Sequence, residues 1–199
     1  MFDWSSIIAA IIGATTTLLT VYISKKSNKE ACPVFDSVDA ARNIYKILDK
    51  LQKNTDSDRV YIYQFHNGGK YFSGLPRQRM SCTYEIVSEG VSTECEHVKD
   101  LRCSIYSLFI ERIMKENGTI INQIDDIKHS ASRQLFLNKG VHKACLIPIY
   151  TKLNNIVGII GIDYIKAESI LDKDWEEKSQ KDVCFMKDAC RAIAGYLIK

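Results

Sequence analysis

The chain has 199 residues, 46% of them apolar, enough for one well-buried core and a short appendage. Its 27 basic residues nearly balance 24 acidic ones, leaving a net charge of +3, which argues against nucleic acid as its main partner. The seven cysteines are odd in number and form no CxxC pair, which argues against a disulfide scaffold or a zinc knot and for a reducing compartment.

Residues 4–24 carry no charge, and 7–23 are mostly Ile, Ala, Leu, Val and Thr. At about 1.5 Å per residue, about 20 residues cross a bilayer, so this stretch predicts one N-terminal transmembrane helix. Its threonines are tolerable because each can bond back to the preceding helical turn. Lys25, Lys26 and Lys29 follow it, which places the rest of the chain on the cytoplasmic side. A cleaved signal peptide fits less well, since Asp3 rather than a basic residue stands near the start.

Residues 25–33 read as a polar linker and 34–199 as one folded domain. Ser37 is placed to cap a helix running to Lys53, with Val38, Ala41, Ile44, Leu48 and Leu51 on one face. Residues 59–66 alternate, Val60 and Ile62 against Tyr61, Tyr63 and Phe65. This predicts a central strand with one face on helices and the other lining a cavity. His66-Asn67-Gly68-Gly69 predicts a turn, and 70–79 a mobile loop. Residues 80–91 return to strand composition, with Cys82, Tyr84 and Ile86 on one side.

Residues 104–115 fit a helix with Ile105, Leu108, Phe109 and Ile113 at helical spacing, stopped by Asn117-Gly118. A short strand at 119–124 and a short helix at 130–138, closed by Gly140, lead to VHKACLIPIYTKLNNIVGIIGIDY, residues 141–164. Two β-branched runs around a polar turn make this a hairpin in mid-sheet, and Gly158 and Gly161 suggest a close neighbour there, a packed helix, a ligand or a bulge. A long helix follows from 172, with Val183, Met186, Cys190, Ile193 and Leu197 in three-four alternation, suited to a sheet or to a second copy.

This order of elements, and the hairpin and last helix above all, resembles a GAF domain. The resemblance implies an α+β fold, an antiparallel sheet with terminal helices on one face and a ligand pocket under loops on the other. It also implies a sensor role. The Asn-Lys-Phe-Asp-Glu signature that accompanies cyclic-nucleotide binding in one GAF branch is missing, and no cysteine is assigned as a bilin attachment point.

The candidate ligand site is the 65–85 stretch: His66, Asn67, Tyr71, Phe72, Arg77, Arg79, Cys82 and Tyr84. Guanidinium forks bind phosphate or carboxylate, and aromatic rings stack on planar ligands. Asp125, Asp126, His129 and His142 are better explained by a turn, a helix start and a strand start than by a metal. Cys82, Cys95 and Cys103 raise a thiol chemistry like that of free methionine sulfoxide reductases, which use the GAF fold. That chemistry would need an accessible thiolate.

The expectation is thus a membrane-anchored cytoplasmic GAF-like domain binding a small anionic ligand or a protein partner, self-associating through its last helix. It needs no cofactor or metal. The alternatives are a ligand-free assembly domain and the thiol enzyme.

Overall fold

The computed structural model describes residues 13–20, 33–71, 73–166 and 174–197, in two units, 1–39 and 40–199. In the first, residues 13–20 are helical and exposed. Thr16 and Thr17 donate to the Gly13 carbonyl at 3.0 and 2.8 Å, and Thr20 to that of Thr16 at 2.8 Å, the back-bonding expected of them. Among the described residues no helix is long and apolar enough to cross a membrane. Most of the 4–24 segment and nearly all of the linker lie outside the described residues.

Helix α1, Pro33–Thr55, begins four residues before the expected cap. Proline suits a first helical turn, where its missing N–H costs nothing. Ser37 lies inside the helix, and its hydroxyl donates to the Val34 carbonyl at 2.9 Å.

The elements that follow are β1 (Arg59–Lys70), β2 (Pro76–Val87), β3 (Leu101–Arg102), α2 (Ser107–Lys115), β4 (Thr119–Ile121), a 3-10 turn (Ile124–Asp126), α3 (Ser130–Asn138), β5 (Lys143–Tyr150), β6 (Ile156–Tyr164) and α4 (Trp175–Leu197). The strands make one six-stranded sheet in the order β3-β2-β1-β6-β5-β4, every pairing antiparallel.

Strand alternation splits the core into two layers. On one face Val60, Ile62, Ile147, Ile149, Ile160 and Ile162 meet Ile44, Leu48 and Leu51 of α1 and Met186, Cys190 and Ile193 of α4. On the other, Tyr61, Tyr63, Leu146 and Ile159 meet Phe109, Ile113 and Phe136 of α2 and α3. Each such buried side chain stabilises by about 1.5–3 kcal/mol. The stripe expected along the last helix is therefore used on the sheet.

Three expectations need correction. The 70–79 stretch is mostly ladder: β1 runs through His66-Asn67-Gly68-Gly69 to Lys70 and pairs with β2 from Pro76. The glycines serve a register irregularity between Asn67 and Lys70, with Gly69 at φ +95°, rather than a chain reversal. Cys82 and Tyr84 do not share a face. Tyr63 pairs with Cys82 and Ile62 with Tyr84, so Thr83 is an extra residue; the bulge sends Cys82 into the tyrosine layer and Tyr84 towards α1, its ring 5.6 Å from that of Tyr45. Helix α2 starts at Ser107 rather than 104; its buried residues are Phe109, Ile110 and Ile113, while Leu108 and, in the preceding turn, Ile105 are exposed.

Candidate functional site

The face of the sheet opposite α1 and α4 is where the sequence predicted a cavity. It holds instead a buried polar network. Arg59 opens β1, and its cross-strand partner is Asp163 of β6. Arg59 donates from one terminal nitrogen to Asp163 Oδ2 at 3.1 Å and from the other to the Ser92 carbonyl at 2.9 Å. Its Nε lies 3.3 Å from Glu85 Oε1, within ion-pair range but not aligned for a hydrogen bond. Tyr61 donates to Asp163 Oδ1 at 3.0 Å.

Lys139 ends α3 and is buried. Its Nζ is 3.2 Å from Asp163 Oδ2, donates to the Tyr63 hydroxyl at 3.1 Å, and sits 4.3 Å from the centre of the Tyr61 ring. Two cations thus face two carboxylates, since Glu85 also accepts from the backbone of Glu94 and Cys95. A buried charge is tolerable when it is paired and hydrogen-bonded in this way.

Burial alone would lower the Lys139 pKa, but the Asp163 carboxylate and the Tyr63 hydroxyl hold it above the ordinary lysine value. Burial pushes the Tyr63 hydroxyl up to about 12. Both folded values lie above the unfolded ones. The stability these groups add is therefore complete below about pH 10 and is lost as pH rises through the folded values. We expect the unfolding free energy to fall above about pH 10, and to fall less steeply in Lys139→Met; pH-resolved urea titrations check this.

Outside the network lies an open groove of about 660 Å³ between α2 and the segment before α3, lined by Leu108, Phe109, Arg112, Asp126, Ile127, Lys128, His129 and Ser130. Phe109 and Ile127 reach from it into the core. Arg112 is bonded to Glu116 on the helix surface, and His129 caps α3 by accepting from Ser132 N at 3.3 Å. None of the ligand-site residues nominated from the sequence lines this groove, though Asp126 and His129, weighed there as metal ligands, do.

The described ones among the nominated residues lie along the β1–β2 hairpin. His66 Nε2 is 2.9 Å from Ser81 Oγ and 3.6 Å from Asp100 Oδ1. Asn67 Oδ1 accepts from Gly69 N at 3.0 Å. Arg77 stacks on Tyr71, 5.1 Å from its centre, and donates to the Lys70 carbonyl at 3.3 Å. Arg79 donates to the Asp100 carbonyl at 2.8 Å and lies across Gly68. Phe72 is outside the described residues. The structure thus brings His66, Asn67, Arg77 and Arg79 to one hairpin but leaves Cys82 and Tyr84 out of their cluster.

Cys95 donates to the Cys82 carbonyl at 3.1 Å. Burial raises the thiols of Cys82, Cys95 and Cys103 above their ordinary value, the reverse of what thiolate chemistry asks.

Solved structures share this architecture. A far-red cyanobacteriochrome photoreceptor aligns over 87% of this chain and 98% of its own, with a TM-score of 0.57 at 12% identity. The GAF/HD-domain protein of Geobacter sulfurreducens aligns over 78% of this chain and 92% of its own, with a TM-score of 0.53 at 9% identity. The fold is that of a GAF domain. The blue-light-absorbing GAF domain of PixJ from Thermosynechococcus elongatus is a further relative in shape, with a TM-score of 0.52 at 13% identity over 78% of this chain and 88% of its own. At these identities the likeness is one of fold. No protein-family model and no curated protein matches the sequence.

Arg59, Lys139 and Asp163 were not singled out from the sequence. A carboxylate inside the apolar run GIIGIDY was the available signal, because a charge in a strand buried on both faces demands a buried partner. Lys139, at a helix end before a glycine, offered none.

Proposed function

We propose that this chain is a GAF-like regulatory domain, held at a membrane by residues 4–24 with residues 34–199 on the cytoplasmic side. It binds a small anionic ligand or a protein partner and catalyses nothing itself. The observation that carries the reading is the open groove beside α2 and α3, where Lys128 and the Glu116-paired Arg112 stand against the single acid Asp126, and Phe109 and Ile127 connect the lining to the core. The photoreceptor and GAF/HD proteins that share the fold support a sensor role. His66, Asn67, Tyr71, Phe72, Arg77 and Arg79 are the second candidate anion contact.

The filled interior favours one other reading, an assembly domain that has replaced its ligand with the Arg59–Asp163–Lys139 network. Self-association through α4 would then use its outer face, around Cys184, Asp188 and Ala192, which is exposed.

Native mass spectrometry of the gently solubilised full-length protein tests both. We expect a stoichiometric small anion, whose affinity falls about tenfold or more in Arg112→Ala with Lys128→Ala if the groove holds it, or in Arg77→Ala with Arg79→Ala if the hairpin does. Empty protein in one defined oligomer, with no ligand recovered by screening, would replace this reading with the assembly domain. Extraction by alkaline carbonate, which releases all but integral proteins, tests the anchor separately.

A further inference from the structure

The β1–β2 hairpin leaves the sheet. Pairing between β1 and β6 ends at Gln64 with Gly158, yet pairing between β1 and β2 continues to Lys70 with Pro76. Along the overhang β3 covers only Arg79 and Met80. At about 3.3 Å per residue, a two-stranded ribbon on the order of 20 Å long projects past β6. Such a ribbon is marginal in water by itself.

The ribbon's own charge is one-sided, with one carboxylate, Asp100, lying beside it 3.6 Å from His66 Nε2. No acidic residue occurs from 65 to 84, whereas Lys70, Arg77 and Arg79 do. Arg79 is the direct cross-strand partner of Arg102, and on its other side of His66. Like charges directly opposite one another repel, and an anion bridging them would remove the repulsion. Among the described residues no carboxylate pairs with Lys70, Arg77 or Arg102. The tip is also apolar: Tyr71 is 41% and Leu75 64% exposed.

We infer that this ribbon is an arm that docks on the anionic face of a lipid bilayer. Phosphate-bearing headgroups meet Arg77, Arg79 and Arg102, while Tyr71 and Leu75 enter the interfacial layer. A soluble polyanion would satisfy the cations and leave Leu75 in water; a bilayer covers both kinds of group. The inference rests on the proposed membrane location, which brings a bilayer within reach. Docking would orient the domain against the surface and weaken as salt rises.

Leu75→Trp supplies a reporter at an exposed position, read as the difference from the parent protein, which already contains Trp4 and Trp175. The full chain is reconstituted in vesicles of phosphatidylcholine alone or mixed with phosphatidylserine. We expect a blue-shifted emission, quenched by bromine-labelled acyl chains, in the mixed vesicles only. It should be lost in high salt and when Lys70, Arg77 and Arg102 are all changed to Gln. Equal access of an aqueous quencher in both vesicle types overturns the inference, as does inositol hexakisphosphate binding the arm with no response to vesicles. If carbonate releases the protein, the anchor reading fails, and flotation of the soluble chain with the same vesicles still reads the arm.

Discussion

Asp163→Asn is expected to cost about 3–5 kcal/mol of folding stability, because it breaks a buried ion network from its centre. Asp163 is fully buried and receives Arg59, Tyr61 and Lys139 on its two oxygens. Asparagine keeps one acceptor and removes the charge. Arg59 retains Glu85 and the Ser92 carbonyl, but Lys139 keeps only the Tyr63 hydroxyl and aromatic faces. A buried ammonium in that state is the main loss. The urea midpoint should drop with an unchanged denaturant slope. Adding Lys139→Met, which fills similar volume without charge, should recover part of the loss, a coupling measurable by a double-mutant cycle. A drop below about 1 kcal/mol for Asp163→Asn would mean that water reaches the network and that the interior is an open pocket after all.

The same network explains what the sequence made legible and what it hid. Alternation in 59–66 and the β-branched runs of 141–164 made the central strands legible, with Val60 and Ile62 on one face and Tyr61 and Tyr63 on the other; the tyrosine face, however, packs on α2 and α3 where one face was expected to line a cavity. Helix α3 has its expected limits, residues 130–138. The interior was harder to read. Arg59 is joined to Asp163 across 104 positions and Lys139 to Tyr63 across 76, so no local pattern announces either pair. The hairpin failed for a different reason. Asn-Gly and Gly-Gly favour turns, but the ladder absorbed them in an irregularity, and one extra residue at Thr83 reversed the alternation that had grouped Cys82 with Tyr84. Candidate site residues chosen by periodicity are vulnerable to a single bulge.

Gly158 and Gly161 suggest a packed helix, a ligand or a bulge close by, but the neighbour is the adjacent strand β1. A Cβ on Gly161 would lie 2.3–2.5 Å from the Tyr61 ring, which covers the glycine and is held by its bond to Asp163. A Cβ on Gly158 would lie 2.4 Å from the Tyr63 carbonyl oxygen. Each substitution to alanine should cost about 1–3 kcal/mol through overpacking, but the two differ in what can relieve them. Tyr61→Leu shortens the obstructing side chain, so Gly161→Ala should be less costly in that background than in the parent, beyond the loss that Tyr61→Leu itself causes. Gly158→Ala meets backbone, and β1 cannot retreat while β2 holds its other edge. No side-chain change at Tyr63 should rescue it. Thermal or urea unfolding of the two cycles decides the matter. If Tyr61→Leu relieves neither alanine, Tyr61 does not lie over Gly161, and the tyrosine layer that fills the distal face is arranged differently.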